Sequence, residues 1–241
     1  MTKQVMKQKL KTYGFTRVDL LVTIVTLVAL AYLILQFVFI GLQQRPMRHR
    51  LLKLSCGNNL IQVGLAFRIW AADNGEKFPM QVSVTNGGSM ELAGKGSTYA
   101  VFNVMTNILN TPKILFCPWD NNRQRVMADV FASSNPQSQG SSEFVFSPSN
   151  NISYFVGLDA NKDNPRQILS GDDHFQIAGK TPMPGLFLLS TNASIKWKNG
   201  RHGDEQANIL FADGSVLSVT NSGFRDVLAK TSLATNRLAM P

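Results

Sequence analysis

Leu20 to Leu42 reads LLVTIVTLVALAYLILQFVFIGL. These 23 residues carry no charge, and Thr23, Thr26, Tyr32, Gln36 and Gly41 do little to relieve the apolar run. At a ~1.5 Å rise per residue, a helix of this length spans the ~30 Å hydrocarbon core of a bilayer. Its β-branched residues do not oppose a helix there, because lipid offers the backbone no partner outside its own segment. The run is long for the apolar region of a secretory signal, and no small-x-small cleavage site follows Leu42. A plain membrane anchor is the simplest reading.

Working outward, the charge is concentrated around this run. The chain has 241 residues and a formal net charge of +9. Residues 1–53 hold nine basic residues against one acid, Asp19, a balance of +8. Residues 54–241 are close to neutral at +1. Lysines 3, 7, 9 and 11 precede the apolar run, which favours a cytoplasmic N-terminus. The near-neutral remainder shows no Lys/Arg run interleaved with aromatics, so no nucleic-acid partner is expected.

The border of the apolar run reads Tyr13-Gly14-Phe15-Thr16-Arg17-Val18-Asp19-Leu20-Leu21-Val22. It resembles the class III signal of type IV prepilins and type II secretion pseudopilins: a short basic leader, Gly-Phe-Thr, an acid, then an apolar helix. The resemblance implies cleavage by a prepilin peptidase between Gly14 and Phe15, N-methylation of Phe15, and retention of the apolar helix as anchor and filament core. Asp19 stands where the family usually has the longer Glu. An acid at the edge of an apolar helix is costly unless paired. One partner for Asp19 is the amine that cleavage would create at Phe15 of a neighbouring subunit; the alternative is a headgroup position beside Arg17.

Pro46 should kink or interrupt the helix. Beyond it, Met47, Leu51, Leu54, Ile61, Leu65 and Ile69 recur at helical spacing, and Leu60, Val63, Phe67 and Trp70 widen the apolar face. The spacing predicts a helix over 47–73, ended by Asp73-Asn74-Gly75. The expected organisation is a cleaved leader over 1–14, a membrane and filament-core helix over 15–45, and a head over 46–241. Further segments resemble a large family of prepilin-like bacterial proteins: Cys56-Gly57-Asn58-Asn59-Leu60, Asp73 to Pro79, Cys117-Pro118-Trp119-Asp120, and His202 followed by Asp213-Gly214 with ten residues between.

The remainder reads as α+β, with an antiparallel sheet in a pilin-like head. Ser97 caps a predicted helix over 98–110 that Pro112 ends. Strands are expected at 114–116, 152–158, 167–169, 186–189 and 194–197, an exposed loop at 132–151, and a last helix at 222–230. Ala207–Ala212 and Ser215–Val219 flank Asp213-Gly214 as a hairpin. If the head lies outside the cytoplasm, Cys56 and Cys117 can form a disulfide; two buried thiols are the alternative.

No metalloprotease, nucleophile-elbow or phosphate-loop motif occurs, and no enzyme activity is expected. Asp172, Asp173, His174 and Asp204 form the polar clusters that suit a cation such as calcium, a use some pseudopilins make of a C-terminal loop. Their Gly-bearing surroundings favour turns instead, so no cofactor is expected. His202 and Asp213 are candidates for a hydrogen bond bracing the hairpin.

The expected function is a structural subunit of a type II secretion pseudopilus or type IV pilus-like filament. Its partners would be the prepilin peptidase, other pilin or pseudopilin subunits and the assembly platform of the inner membrane. Its place would be that membrane, single-pass, with the head periplasmic or extracellular. The alternatives are a non-polymerising, membrane-anchored binding domain and a minor pilin of a DNA-uptake machine.

Overall fold

The computed structural model describes residues 16–120, 122, 124–131, 144–148, 150–198 and 205–241, with residues 43–50 described by their backbone alone. A single helix, α1, runs over Arg17–Asp73. Its first part, Arg17–Leu42, is long and apolar enough to cross a membrane, and none of it is buried. The expected interruption at Pro46 is corrected, because helical backbone runs through it. Proline removes one donor and strains one ring–carbonyl contact, while the turns on both sides keep the rest of the ladder. α1 stops where the sequence places the stop. Asn74 Nδ2 donates to Trp70 O at 2.8 Å, Glu76 N donates to Ala71 O at 2.8 Å, and Gly75 takes a φ of +65°.

The chain divides into two compact units, Met1–Arg48 and His49–Pro241. The second is α+β. Its strands are β1 Tyr154–Gly157, β2 Ile168–Asp172, β3 Phe175–Ile177, β4 Gly185–Ser190, β5 Ile195–Trp197, β6 Gln206–Phe211, β7 Val216–Thr220 and β8 Thr235–Met240. Six of them form one sheet in the order β4-β8-β1-β2-β6-β7, all antiparallel. A two-stranded antiparallel pair, β3 with β5, lies beside it.

Strand alternation sorts the core into two layers. On one face, Tyr154, Val156, Leu210 and Ala239 pack with Cys56, Leu60, Val63, Phe67 and Ala71 of α1. On the other, Phe155, Ile209, Val219 and Leu238 pack with Phe175, Trp197 and, from α5 (Asn221–Lys230), Phe224 and Leu228. Gly64 lets α1 sit close to the sheet, since a β-carbon there would stand 2.7 Å from Leu210 Cδ1.

Several local expectations are corrected. The helix predicted over 98–110 is two, α3 Thr98–Asn103 and α4 Thr106–Leu109, although Ser97 Oγ caps Ala100 N as expected. Asn103, Thr106 and Asn107 are weak helix formers that compete locally with the ladder. The strand predicted at 114–116 is a 3-10 turn, Pro112–Leu115. Thr111 Oγ1 accepts from Lys113 N, so Thr111-Pro112 starts a helical turn rather than ending one. Of the loop at 132–151, residues 132–143 and 149 lie outside the described residues. Its described part is not all exposed: Phe146 is buried and stacks on Tyr99 at 5.0 Å. The β6–β7 hairpin closes with three residues, Ala212-Asp213-Gly214, not two. Gly214 supplies the left-handed position (φ +87°) that this turn requires. β3 and β8 were not expected; α5 was, and Thr220 Oγ1 caps it at Gly223 N.

A short helix, α2 (Met90–Ala93), is tied to the preceding loop by Glu91. Its carboxylate accepts from Ser83 Oγ at 2.6 Å and Val84 N at 2.8 Å. These bonds, that from Ser83 foremost, hold the Glu91 carboxyl below its ordinary value. The resulting stability is complete above the ordinary glutamate value and is lost as pH falls through the lower folded one. Glu91→Gln is therefore expected to flatten the acid arm of a plot of melting temperature against pH, and an unchanged arm would count against this contact.

Candidate functional site

Three constellations within the described residues bear on function. The first is at the start of α1. Asp19 Oδ2 accepts from Thr16 N (3.0 Å) and Thr16 Oγ1 (2.7 Å), and Thr16 Oγ1 accepts from Asp19 N (3.2 Å). This is a reciprocal capping box, with an acid in the first turn where the helix dipole favours it. The spacing Thr16-x-x-Asp19 before an apolar run was the available signal. Asp19 Oδ1 takes no hydrogen bond among the described residues. Gly14 and Phe15 lie outside them.

The second is the Cys56–Cys117 disulfide. Both cysteines are fully buried. One turn on, Asn59 Nδ2 donates to Phe116 O at 3.0 Å. Two adjacent ties therefore fix α1 to the chain that follows the 3-10 turn. Cys56 and Asn59 belong to the Cys-x-Asn-Asn-Leu segment, and Phe116 directly precedes the Cys-Pro segment.

The third is a buried ionic cluster that sequence spacing did not reveal. Arg125 sits between Asp120, at 3.1 Å from Nη1, and Asp173, on Nη2. The side-chain exposures are 0% for Asp120, 12% for Arg125 and 7% for Asp173. Ser153 Oγ donates to Asp120 Oδ2 at 2.7 Å. Burial opposes the Arg125 charge; the carboxylates of Asp173 and Asp120 more than offset it and hold the guanidinium above its ordinary value.

Asp172 and Asp173 are thus not turn residues. Asp172 closes β2 in a buried position, and its Oδ2 accepts from Asn208 N at 2.6 Å. Buried carboxylates persist when charge or N–H groups meet them, and those partners come from β6 and residue 125, far away in sequence. His174 is also buried, its ring 5.5 Å from that of Trp197.

Among the described residues, no three His, Cys, Asp or Glu side chains converge in a way that could hold a metal ion. Asp204 and His202 lie outside the described residues. Asp213 serves its own turn, with Oδ1 accepting from Ser215 N (2.8 Å) and Ser215 Oγ (2.6 Å). Comparisons with protein-family models, with curated proteins and with solved structures find no match to this chain.

Proposed function

We propose that this chain is a structural subunit of a pilin-like filament, anchored in the inner membrane through Arg17–Leu42 and processed after Gly14. The observation that carries the reading is the surface of α1. Every residue from Arg17 to Leu42 is exposed. Within the head, Leu51, Leu54, Ile61, Leu65 and Ile69 are also exposed on α1 while Leu60, Val63 and Phe67 are buried. A helix apolar on its outward face as well as its packed one is suited to lie against other helices. The outward stripe at Leu51–Ile69 is a surface for neighbouring subunits, and Asp19 Oδ1 is the atom left to accept from the Phe15 amine of the next chain.

Cross-linking in cells tests the assembly. The wild-type chain is expected to give a ladder of cross-linked oligomers. Asp19→Ala, and separately Leu54→Glu with Leu65→Glu, are expected to abolish it while the disulfide still forms. A ladder retained in both variants overturns the reading. Mass spectrometry of the membrane-resident protein tests the processing: N-methylated Phe15 is expected, and an intact Met1 would overturn it.

A further inference from the structure

From Leu51 to Leu65 the outward face of α1 repeats at steps of three and four residues: Leu51, Leu54, Asn58, Ile61, Leu65. All five are exposed, the four aliphatic ones by 51% to 64%. This is the a/d spacing of a two-stranded coiled coil. Cys56, Val63 and Trp70 stand at the f positions of the same heptads, opposite the seam, and all three are buried in the head. Head and seam therefore occupy opposite sides of α1, and a second helix can lie along the seam while the head keeps its own side.

The seam carries no charge. Lys53 turns to the head, where its Nζ donates to Gln206 Oε1. The Arg68 stem lies against the β6–β7 turn, its Cδ 3.3 Å from where a β-carbon on Gly214 would stand. The one polar member is Asn58. Its neighbour Asn59 turns inward and donates to Phe116 O. The Asn58 side chain is exposed and makes no hydrogen bond among the described residues. An asparagine at a single a position weakens packing, but a facing asparagine satisfies it, and the pair fixes register and the number of strands.

We propose that α1 pairs with α1 of a second copy of this chain as a parallel, in-register coiled coil over Leu51–Leu65, with the two Asn58 side chains hydrogen-bonded across the axis. This pairing presupposes the membrane-anchored subunit proposed above. Copies held by residues 17–42 in one membrane leave it in the same direction, so like residues meet like residues. The exposed parts of Leu51, Leu54, Ile61, Leu65 and Ile69 in two copies come to about 1,000 Å², the lower limit of a specific interface. Because the seam is uncharged, a second copy meets no like charge there. The pair is closed by a two-fold axis, whereas a filament neighbour is displaced along the filament. It is therefore the state of the subunit in the membrane before filament neighbours take the stripe.

The test uses the full chain in phosphatidylcholine vesicles, with one cysteine added at a time, since Cys56 and Cys117 are buried and already paired. Leu54→Cys and Ile61→Cys are each expected to form disulfide-linked dimers about tenfold or more faster than Val84→Cys, an exposed position outside α1. With the Leu54→Cys and Ile61→Cys chains in the same vesicles, the mixed dimer requires a slip of one heptad. It is expected about tenfold below the like dimers. Adding Asn58→Leu to both chains should raise the mixed dimer to the level of the like ones, because the register is no longer fixed. These positions are exposed, and an unchanged unfolding midpoint confirms the fold of each variant. The proposal is overturned if like dimers form no faster than the Val84→Cys control. It is equally overturned if the mixed dimer matches them with Asn58 in place, or if Asn58→Leu leaves the mixed dimer unchanged. Like dimers without a ladder in cells would count against the filament alone, and a ladder without like dimers against the pair alone.

Discussion

Arg125→Met is expected to destabilise the head by about 3–5 kcal/mol, the usual cost of breaking a buried ion pair from one side. The guanidinium pairs with both Asp120 and Asp173, and all three side chains are nearly inaccessible. Methionine fills much of the arginine stem but leaves two carboxylates buried without that charge. Urea unfolding followed by tryptophan fluorescence measures the effect, since Trp70, Trp119 and Trp197 all belong to the head. A second variant separates charge from packing. Arg125→Met combined with Asp173→Asn should recover much of the loss, because it removes one of the two carboxylates that lose the guanidinium. If the single variant loses less than about 1 kcal/mol, the cluster is not the brace described here.

Cys56→Ser with Cys117→Ser should cost about 4 kcal/mol, the chain-entropy value for a loop closed across 61 residues. The bond ties α1 to the segment after the 3-10 turn, beside the hydrogen bond from Asn59 to Phe116 O. The serine hydroxyls would also replace buried sulfur in an apolar layer, so the measured loss should not fall below the entropic part. The check is urea unfolding of the double variant beside the wild type without reductant. Matching midpoints, or two thiols alkylated in the native protein without reductant, would remove the disulfide from the account.

Much of the fold was legible where one local rule sufficed. The apolar run at Leu20–Leu42, the stop at Asp73, the Ser97 cap and the Gly214 turn each depend on residues a few positions apart. β8 was not legible. Its sequence Thr235–Met240 includes Asn236 and Arg237, yet it lies between β4 and β1. Asn236 and Leu238 are buried there because two strands flank it. Arg237 is accommodated at the rim, where Asp159 accepts from both its N–H and its Nε at 2.7 Å. A strand of that composition exists because its neighbours offer two unpaired edges, a condition no window of sequence contains.

The same division holds for the candidate sites. Sequence by itself determined the apolar helix, its charged flanks and the two cysteines able to pair, because each is set by composition or by spacing along one element. Only the tertiary structure decided that Asp172 and Asp173 are buried and partnered rather than turn residues. It alone left β7 paired with β6 alone among the described strands, and left α1 apolar on an uncovered face. The physical reason is that burial and pairing belong to surfaces brought together from distant parts of the chain, whereas caps, turns and spans are satisfied within a few consecutive residues.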